Sequence, residues 1–246
     1  MKILVCISKA PDTTAKIAFT DGNTKFDENG VQFIVNPYDE WYALVRGLEL
    51  KEANGGTVTV LNVGGAENDP IIRKALAIGA DDAVRIDAAA TDGLSVAKQI
   101  SNYAKDKGFD LIFLGKETID YNGSQVGGMV AELMNLPYVS LATKIDVSGD
   151  VATVERDIEG GVEVVEVTGA LVLSAAKGMA EARIPNMRGI MAARTKPLAV
   201  EAGTDVTAVT SIKNFELPPA KSACKLVAAD NVEELVSLLH NEAKAI

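Results

Sequence analysis

Residues 110–134 read Asp110-Leu-Ile-Phe-Leu-Gly115-Lys-Glu-Thr-Ile-Asp120-Tyr-Asn-Gly-Ser-Gln125-Val-Gly-Gly-Met-Val130-Ala-Glu-Leu-Met134, and this stretch decides the fold. Asp110 to Leu114 is a near-continuous apolar run of strand length, as a strand buried on both faces of a parallel sheet should be. Gly115 to Gly128 is glycine, hydroxyl and amide in character, and Gln125 to Met134 carries apolar residues at helical spacing. The order is strand, loop, helix. Upstream the same unit recurs: strands at Lys2 to Ile7, Thr57 to Val63 and Ala83 to Ile86 alternate with helices at Glu40 to Glu52, Pro70 to Ile78 and Leu94 to Lys105. That alternation predicts right-handed βαβ units and an α/β, doubly wound, mostly parallel sheet.

Two stretches depart from the alternation. Lys16 to Phe26 places Asp21-Gly22 between two short alternating runs, which predicts a hairpin. Thr143 to Val147, Val151 to Arg156 and Val162 to Val167, with turns at Gly149-Asp150 and Gly160-Gly161, predict an antiparallel meander added at the sheet's edge. Ala170 to Ser174 is expected as the last buried strand. It is followed by a loop, Ala175 to Asn186, and a basic stretch with Arg183, Arg188, Arg194 and Lys196. From Thr210 the composition changes, Leu217-Pro218-Pro219-Ala220 punctuates the chain, and Val232 to Leu239 reads as one terminal helix. The expected organisation is a nucleotide-binding α/β domain over 1–210 and a C-terminal arm over 211–246, because a Pro-Pro linker and one helix do not make a core.

Bulk properties narrow the function. The 246 residues carry a formal charge of -10, which argues against nucleic acid, since phosphate backbones need Lys and Arg in excess. The two cysteines, Cys6 and Cys224, are too few for a disulfide framework and fit a reducing compartment. The N-terminus has no signal-peptide pattern and no apolar run approaches a membrane span, so a cytoplasmic, bacterial protein without membrane insertion is expected. The single histidine, His240, excludes a His-based triad or multi-His metal site within this chain. Redox chemistry would therefore come from a bound organic cofactor.

Ligands of a doubly wound sheet sit at the carboxyl ends of its strands, around a topological switch point. Cys6 to Pro11, Val63 to Ala66 and Gly115 to Gly128 reach that edge. The last aims backbone N–H groups and a helix N-terminus at one spot, which suits a phosphate. The competing reading makes Asn122 and Ser124 an N-cap region and the glycines turns. No glycine-rich fingerprint follows the first strand, so a mononucleotide fits better than a dinucleotide. Asn36-Pro37-Tyr38-Asp39-Glu40 sets an aromatic beside a fixed backbone; its competing reading is capping by Asn36 or Asp39. Cys6 reads as a packed core residue rather than a redox thiol. The basic stretch from Arg183 is either a solvated face or a docking surface.

Taken together, these segments resemble the electron transfer flavoprotein β (small) subunit family, over essentially the whole chain. The opening Lys2-Ile-Leu-Val, Asn36-Pro37, Leu76 to Asp81 and Leu114-Gly115-Lys116 through Gly127 recur in that order. The most specific piece is Val154-Glu-Arg-Asp-Ile-Glu-Gly-Gly-Val-Glu163, similar to the family signature, with Arg188-Gly-Ile and Thr195-Lys-Pro in support. The resemblance implies an adenine nucleotide α-hydrolase-like core in a heterodimer with an α subunit that carries most of the FAD site. It also implies a structural AMP held by Cys6, Asn36, Pro37, Tyr38, Asp39, Val63, Gly115, Lys116, Glu117, Thr118, Ile119, Asp120, Tyr121, Asn122, Gly123, Ser124, Gln125 and Val126. Tyr38 is the one of these expected nearest the flavin.

Ala175 to Arg194 resembles the family's recognition loop, which docks on acyl-CoA dehydrogenase-type flavoenzymes through Arg183, Met187 and Arg188. Met187 stands where the family usually has an anchoring Leu, Ala182-Arg183-Ile184 replaces Pro-Arg-Tyr, and Gly169 replaces a Pro. The implied role is electron carriage from such enzymes, in fatty acid β-oxidation, to the respiratory chain via a quinone oxidoreductase, with no catalytic residue in this chain. Two alternatives are an electron-bifurcating β subunit, with a second FAD in place of AMP, and a universal stress protein-like nucleotide sensor. The loop Asp120-Tyr-Asn-Gly-Ser124 and the Glu159-Gly160-Gly161 element favour the AMP-binding carrier over the first. The meander, basic loop and arm count against the second.

Overall fold

The computed structural model describes all residues, Met1 to Ile246. In chain order the strands are β1 (Lys2–Cys6), β2 (Lys9–Pro11), β3 (Phe19–Thr20), β4 (Lys25–Phe26), β5 (Phe33–Val35), β6 (Thr57–Val63), β7 (Asp82–Asp87), β8 (Leu111–Gly115), β9 (Tyr138–Ser148), β10 (Val151–Ile158), β11 (Gly161–Thr168), β12 (Leu171–Ala175) and β13 (Leu198–Ala202). The helices are α1 (Asp39–Asn54), α2 (Asp69–Ile78), α3 (Gly93–Ala104), α4 (Val126–Met134), α5 (Met187–Ala193) and α6 (Val232–Ser237). No helix is long and apolar enough to cross a membrane.

Nine strands form one sheet in the order β11-β10-β9-β12-β8-β1-β6-β7-β13. From β9 to β13 every neighbouring pair is parallel, and β10 and β11 add an antiparallel extension beyond β9. From β1 the chain builds outward through β6 and β7, then crosses back to lay β8 on the other side. The reversal of strand order therefore falls between β1 and β8, where such sheets bind ligands.

The apolar runs are explained by burial on both faces. Ile3, Val5, Val58, Val60, Leu111 and Phe113 face α1 and α2, while Leu4, Leu61, Val84, Ile112 and Leu114 face α3 and α4. The meander buries Ile145, Ala152 and Val154 on the first side. The expected hairpin near Lys16 to Phe26 is present but short. It pairs only Phe19 with Phe26 and Thr20 with Lys25, around left-handed Asp21, Gly22 and Asn23.

Four elements add to the sequence reading. The strand ending at Ala175 is the last buried one, as expected, but one more follows it: β13 pairs with β7 from Leu198↔Ala83 to Ala202↔Asp87. It is an edge strand with four exposed residues, so it lacks the apolar run that betrays a buried strand. β2 and β5 pair over three residues, too few for a periodic signal. The basic stretch contains a seven-residue helix, α5, with Ala193 buried.

The chain beyond Ala202 is tied back to the domain only at its start. Thr204 exchanges hydrogen bonds with the Gln99 amide of α3. Asp92 Oδ2 accepts from the N–H groups of Val209 and Thr210, and Phe215 stacks on Phe19 at 5.0 Å between ring centroids.

Candidate functional site

The carboxyl ends of β8 and β12 and the N-terminus of α1 enclose an open cleft of about 400 Å³, lined by Pro37, Tyr38, Asp39, Lys116, Glu117, Ile119, Asn122 and Lys177. Its geometry depends on Asn36, a fully buried amide between β5 and α1. Asn36 Nδ2 donates to the Glu117 carbonyl at 3.0 Å, and its Oδ1 accepts from the Ile119 N–H at 2.9 Å. One side chain thus satisfies both backbone groups of the loop across the cleft and fixes its height. The capping reading of this segment is corrected. α1 begins at Asp39 with Tyr38 as its N-cap and no side-chain cap, because Asn36 is used elsewhere.

Tyr38 is held at φ 64, ψ -89, a sparsely populated conformation for a bulky residue, with 54 % of its surface exposed. This twist turns the ring out over the cleft, tilted against Tyr42. Gly115 lets α1 come close, since a Cβ there would lie 2.8 Å from Cγ of Glu40. Behind it, buried Glu40 accepts from the N–H and Oγ–H of Ser8, each at 2.7 Å. Burial pushes the Glu40 carboxyl up to about 8 despite those two bonds. Burial likewise raises Asp39, against the opposing pull of Lys116 at 3.8 Å. Lys116 also pairs with Glu117, which accepts from Ser124 Oγ at 3.0 Å.

The loop closes by a turn in which Asn122 N–H donates to the Thr118 carbonyl. Asn122 and Ser124 both have left-handed backbones, φ 48 and 50. Neither caps α4: the N-cap is Gln125, without a side-chain bond. The competing N-cap reading is therefore corrected, and the first turn of α4 keeps its backbone donors free of side-chain partners. Gly127 sits where a Cβ would press on the Tyr138 ring, 2.9 Å from its hydroxyl oxygen. Backbone donors left free at a helix N-terminus are chemically suited to a phosphate, and Pro37 and Tyr38 line the cleft on its α1 side.

The cleft thus gathers Pro37, Tyr38, Asp39, Lys116, Glu117, Ile119 and Asn122, and Gly123, Ser124, Gln125 and Val126 lead from it into α4. Asp120 and Tyr121 are exposed and do not line the cleft. Cys6 and Val63 are buried among side chains facing α3 and α4, at the ends of β1 and β6, and do not line the cleft. Burial first, then the charge of Glu40, pushes the Cys6 thiol up, consistent with a packed residue. Lys177 is a lining residue that the sequence reading missed. Its signal was position alone, two residues beyond a parallel strand next to β8.

The second candidate surface lies on the α1–α2 side. Arg183 lies back along α1 at the surface, with Nη1 and Nη2 2.6 and 3.1 Å from the Glu52 carboxylate. Its carbonyl accepts from Trp41 Nε1 at 3.3 Å. Met187 opens α5 and is 73 % exposed, and Arg188 beside it is exposed as well.

The family model for the electron transfer flavoprotein domain matches residues 23–209. An electron transfer flavoprotein subunit beta of Bacillus subtilis is 40 % identical over 260 aligned residues, covering all of both chains. A mitochondrial electron transfer flavoprotein subunit beta of Arabidopsis thaliana is 30 % identical over all of both chains, and the electron transfer flavoprotein subunit beta of Mus musculus is 30 % identical over 97 % of this chain and 96 % of its own. The chain belongs to the electron transfer flavoprotein family, among its β subunits.

Proposed function

We propose that this chain is the β half of a heterodimeric electron carrier that binds a structural AMP in the cleft and shares FAD with an α subunit. It would accept electrons from acyl-CoA dehydrogenase-type flavoenzymes and pass them to a quinone oxidoreductase. The observation that carries the reading is the cleft itself, because it is built from the segments that the resemblance assigns to a nucleotide. Flavin, when bound, supplies the redox chemistry. The residues of this chain position and shield. Asn36 sets the loop, Gly115 to Val126 offer donors to a phosphate, and Tyr38 covers the open side where a flavin ring would lie.

The cleft balances Lys116 and Lys177 against Asp39 and Glu117, so an anion is held by backbone donors rather than by net positive charge. The domain would span 1–210, and the arm, 211–246, would pack on the α subunit. Leu217, Leu226, Val232, Leu235 and Val236 are exposed along it, Leu226 at 94 %. Docking on the dehydrogenase would run through Met187 and Arg188, with Arg183 at the base of the loop.

The test uses the purified heterodimer and an acyl-CoA dehydrogenase reduced by its substrate, following bleaching of the heterodimer's flavin absorbance. Bleaching is expected, and Met187→Ala should slow it several-fold at unchanged flavin content. No bleaching with any acyl-CoA dehydrogenase of the same source would contradict the carrier role. Unchanged rates for Met187→Ala would contradict the docking register.

A further inference from the structure

The segment from Ala176 to Asn186 has no regular secondary structure, yet it leads into α5, whose Met187 and Arg188 carry the proposed docking. An irregular loop left free would pay ordering entropy at each encounter. This one is held at its start by the Ala176 N–H, which donates to the Ala142 carbonyl, and by Met179, buried in the core, and three further contacts hold its far end. Trp41 Nε1–H donates to the Arg183 carbonyl, the Arg183 guanidinium forks onto Glu52 of α1, and Asn186 Oδ1 accepts from Gly189 N–H at 2.8 Å to cap α5. The Trp41 ring is itself held in place, packed against the core with Lys74 Nζ of α2 4.9 Å from its centre.

α5 is fixed just as firmly. Arg73 of α2 donates to the carbonyls of Ala193 and Lys196 at 2.8 and 2.6 Å, and Lys196 Nζ donates to those of Leu76 and Ala80 at 3.0 and 2.5 Å. Each helix thereby has its carbonyl end served by a cation from the other segment. The result is a ridge in which Met187, Ile190 and Met191, at i, i+3 and i+4, stand outward with Ile184 just before them. Arg188 and Arg194 flank the ridge on an otherwise acidic protein.

We infer that Glu52 and Trp41, acting through Arg183, are positioning residues that hold this ridge in its docking geometry. The ridge fits an apolar pocket with an acidic rim on the electron-donating flavoenzyme. Arg183 then serves the partner by holding the loop, not by pairing across the interface. The inference rests on the docking reading above.

The experiment measures KM and kcat of the heterodimer with a substrate-reduced acyl-CoA dehydrogenase. Glu52→Gln should raise KM about threefold, the scale of one partly exposed ion pair, without changing kcat or flavin content. Arg183→Gln should do the same, and the double variant should be no worse than either single one. The exchange Glu52→Arg with Arg183→Glu should recover most of the loss. Trp41 is the only tryptophan of the chain, so its emission is the difference between the heterodimer and its Trp41→Phe variant. That emission should move to the red in Glu52→Gln as the loop lifts from the ring.

If Arg183→Gln raises KM while Glu52→Gln leaves it unchanged or lowers it, Arg183 pairs with the partner directly and the inference falls. If Glu52→Gln is silent while Met187→Ala is impaired, the inference falls and the docking reading stands. If both are silent, both fall. Unchanged Trp41 emission together with unchanged KM in Glu52→Gln would also overturn it.

Discussion

The cleft and the C-terminal arm are both made of irregular backbone, and they are ordered in opposite ways. The cleft loop is fixed from within: a buried amide, Asn36, satisfies its backbone, and Gly115 lets α1 pack against its root. The arm is fixed at its start and nowhere else. Every hydrogen bond and ion pair made by residues 217–246 is to another residue of that segment, such as Lys225 to Glu242 and Asn231 to Glu234. One region is organised before a ligand arrives, and the other has its apolar residues still in water. On the proposed function, the first is the nucleotide site and the second is the segment that would gain its burial against the α subunit.

The sharpest way to break this comparison is to remove the arm. A chain ending at Glu216 should keep its domain, with a melting temperature within about 2 °C of the full chain, because no interaction of the domain is lost. Co-expressed with its α subunit, it should fail to form a heterodimer on size exclusion. A large loss of stability would mean that the arm belongs to the domain's own core.

The second largest effect should come from Asn36→Ala, which strands the Glu117 carbonyl and the Ile119 N–H together. Destabilisation of about 2 kcal/mol is expected by denaturant titration, with loss of retained nucleotide. A stable variant that still binds AMP would show that the loop is ordered by other means.

The smallest effects are pH dependences of opposite sign. Glu40, beneath the cleft, has a folded pKa raised from 4.5 to about 8, chiefly by burial. Its contribution is fully present below the unfolded value and is lost as pH rises through about 8. Glu40→Gln should therefore flatten the decline in stability on the alkaline side. Asp92 is held well below its ordinary 3.8 by the N–H of Ser95, then those of Thr210 and Val209. Its contribution is present at neutral pH and is lost as pH falls below that ordinary value. Acid should thus free the root of the arm while leaving the Asn36 bonds of the cleft loop, which involve no titrating group, in place, read as amide exchange at Val209 and Thr210 against Ile119, and Asp92→Asn should mimic it at pH 7. Parallel pH profiles for the two regions would contradict the contrast.

The sheet was legible in the sequence because its strands are buried on both faces, and runs such as Lys2 to Ile7 and Asp110 to Leu114 have no other use for so much apolar surface. β13 was not, since Ala199 to Ala202 are exposed at an edge and carry no burial pattern. The cleft loop was legible through its glycines and its place after a strand. Asn36 was located there, as a nucleotide contact or a helix cap, but neither reading gave its hold on the loop, because a buried amide that serves a loop 81 residues away leaves no local signature. Lys177, Trp41 and Glu52 share that limit. Their roles arise from tertiary proximity, and nothing within a few residues of each announces it.

The central claim is that this chain brings one mononucleotide to a two-subunit flavin carrier. The direct measurement is to purify the heterodimer, release its cofactors in acid and quantify them by chromatography. One FAD and one AMP per heterodimer is the result expected from the cleft described above. Two FAD and no AMP would contradict it and make the cleft a second flavin site.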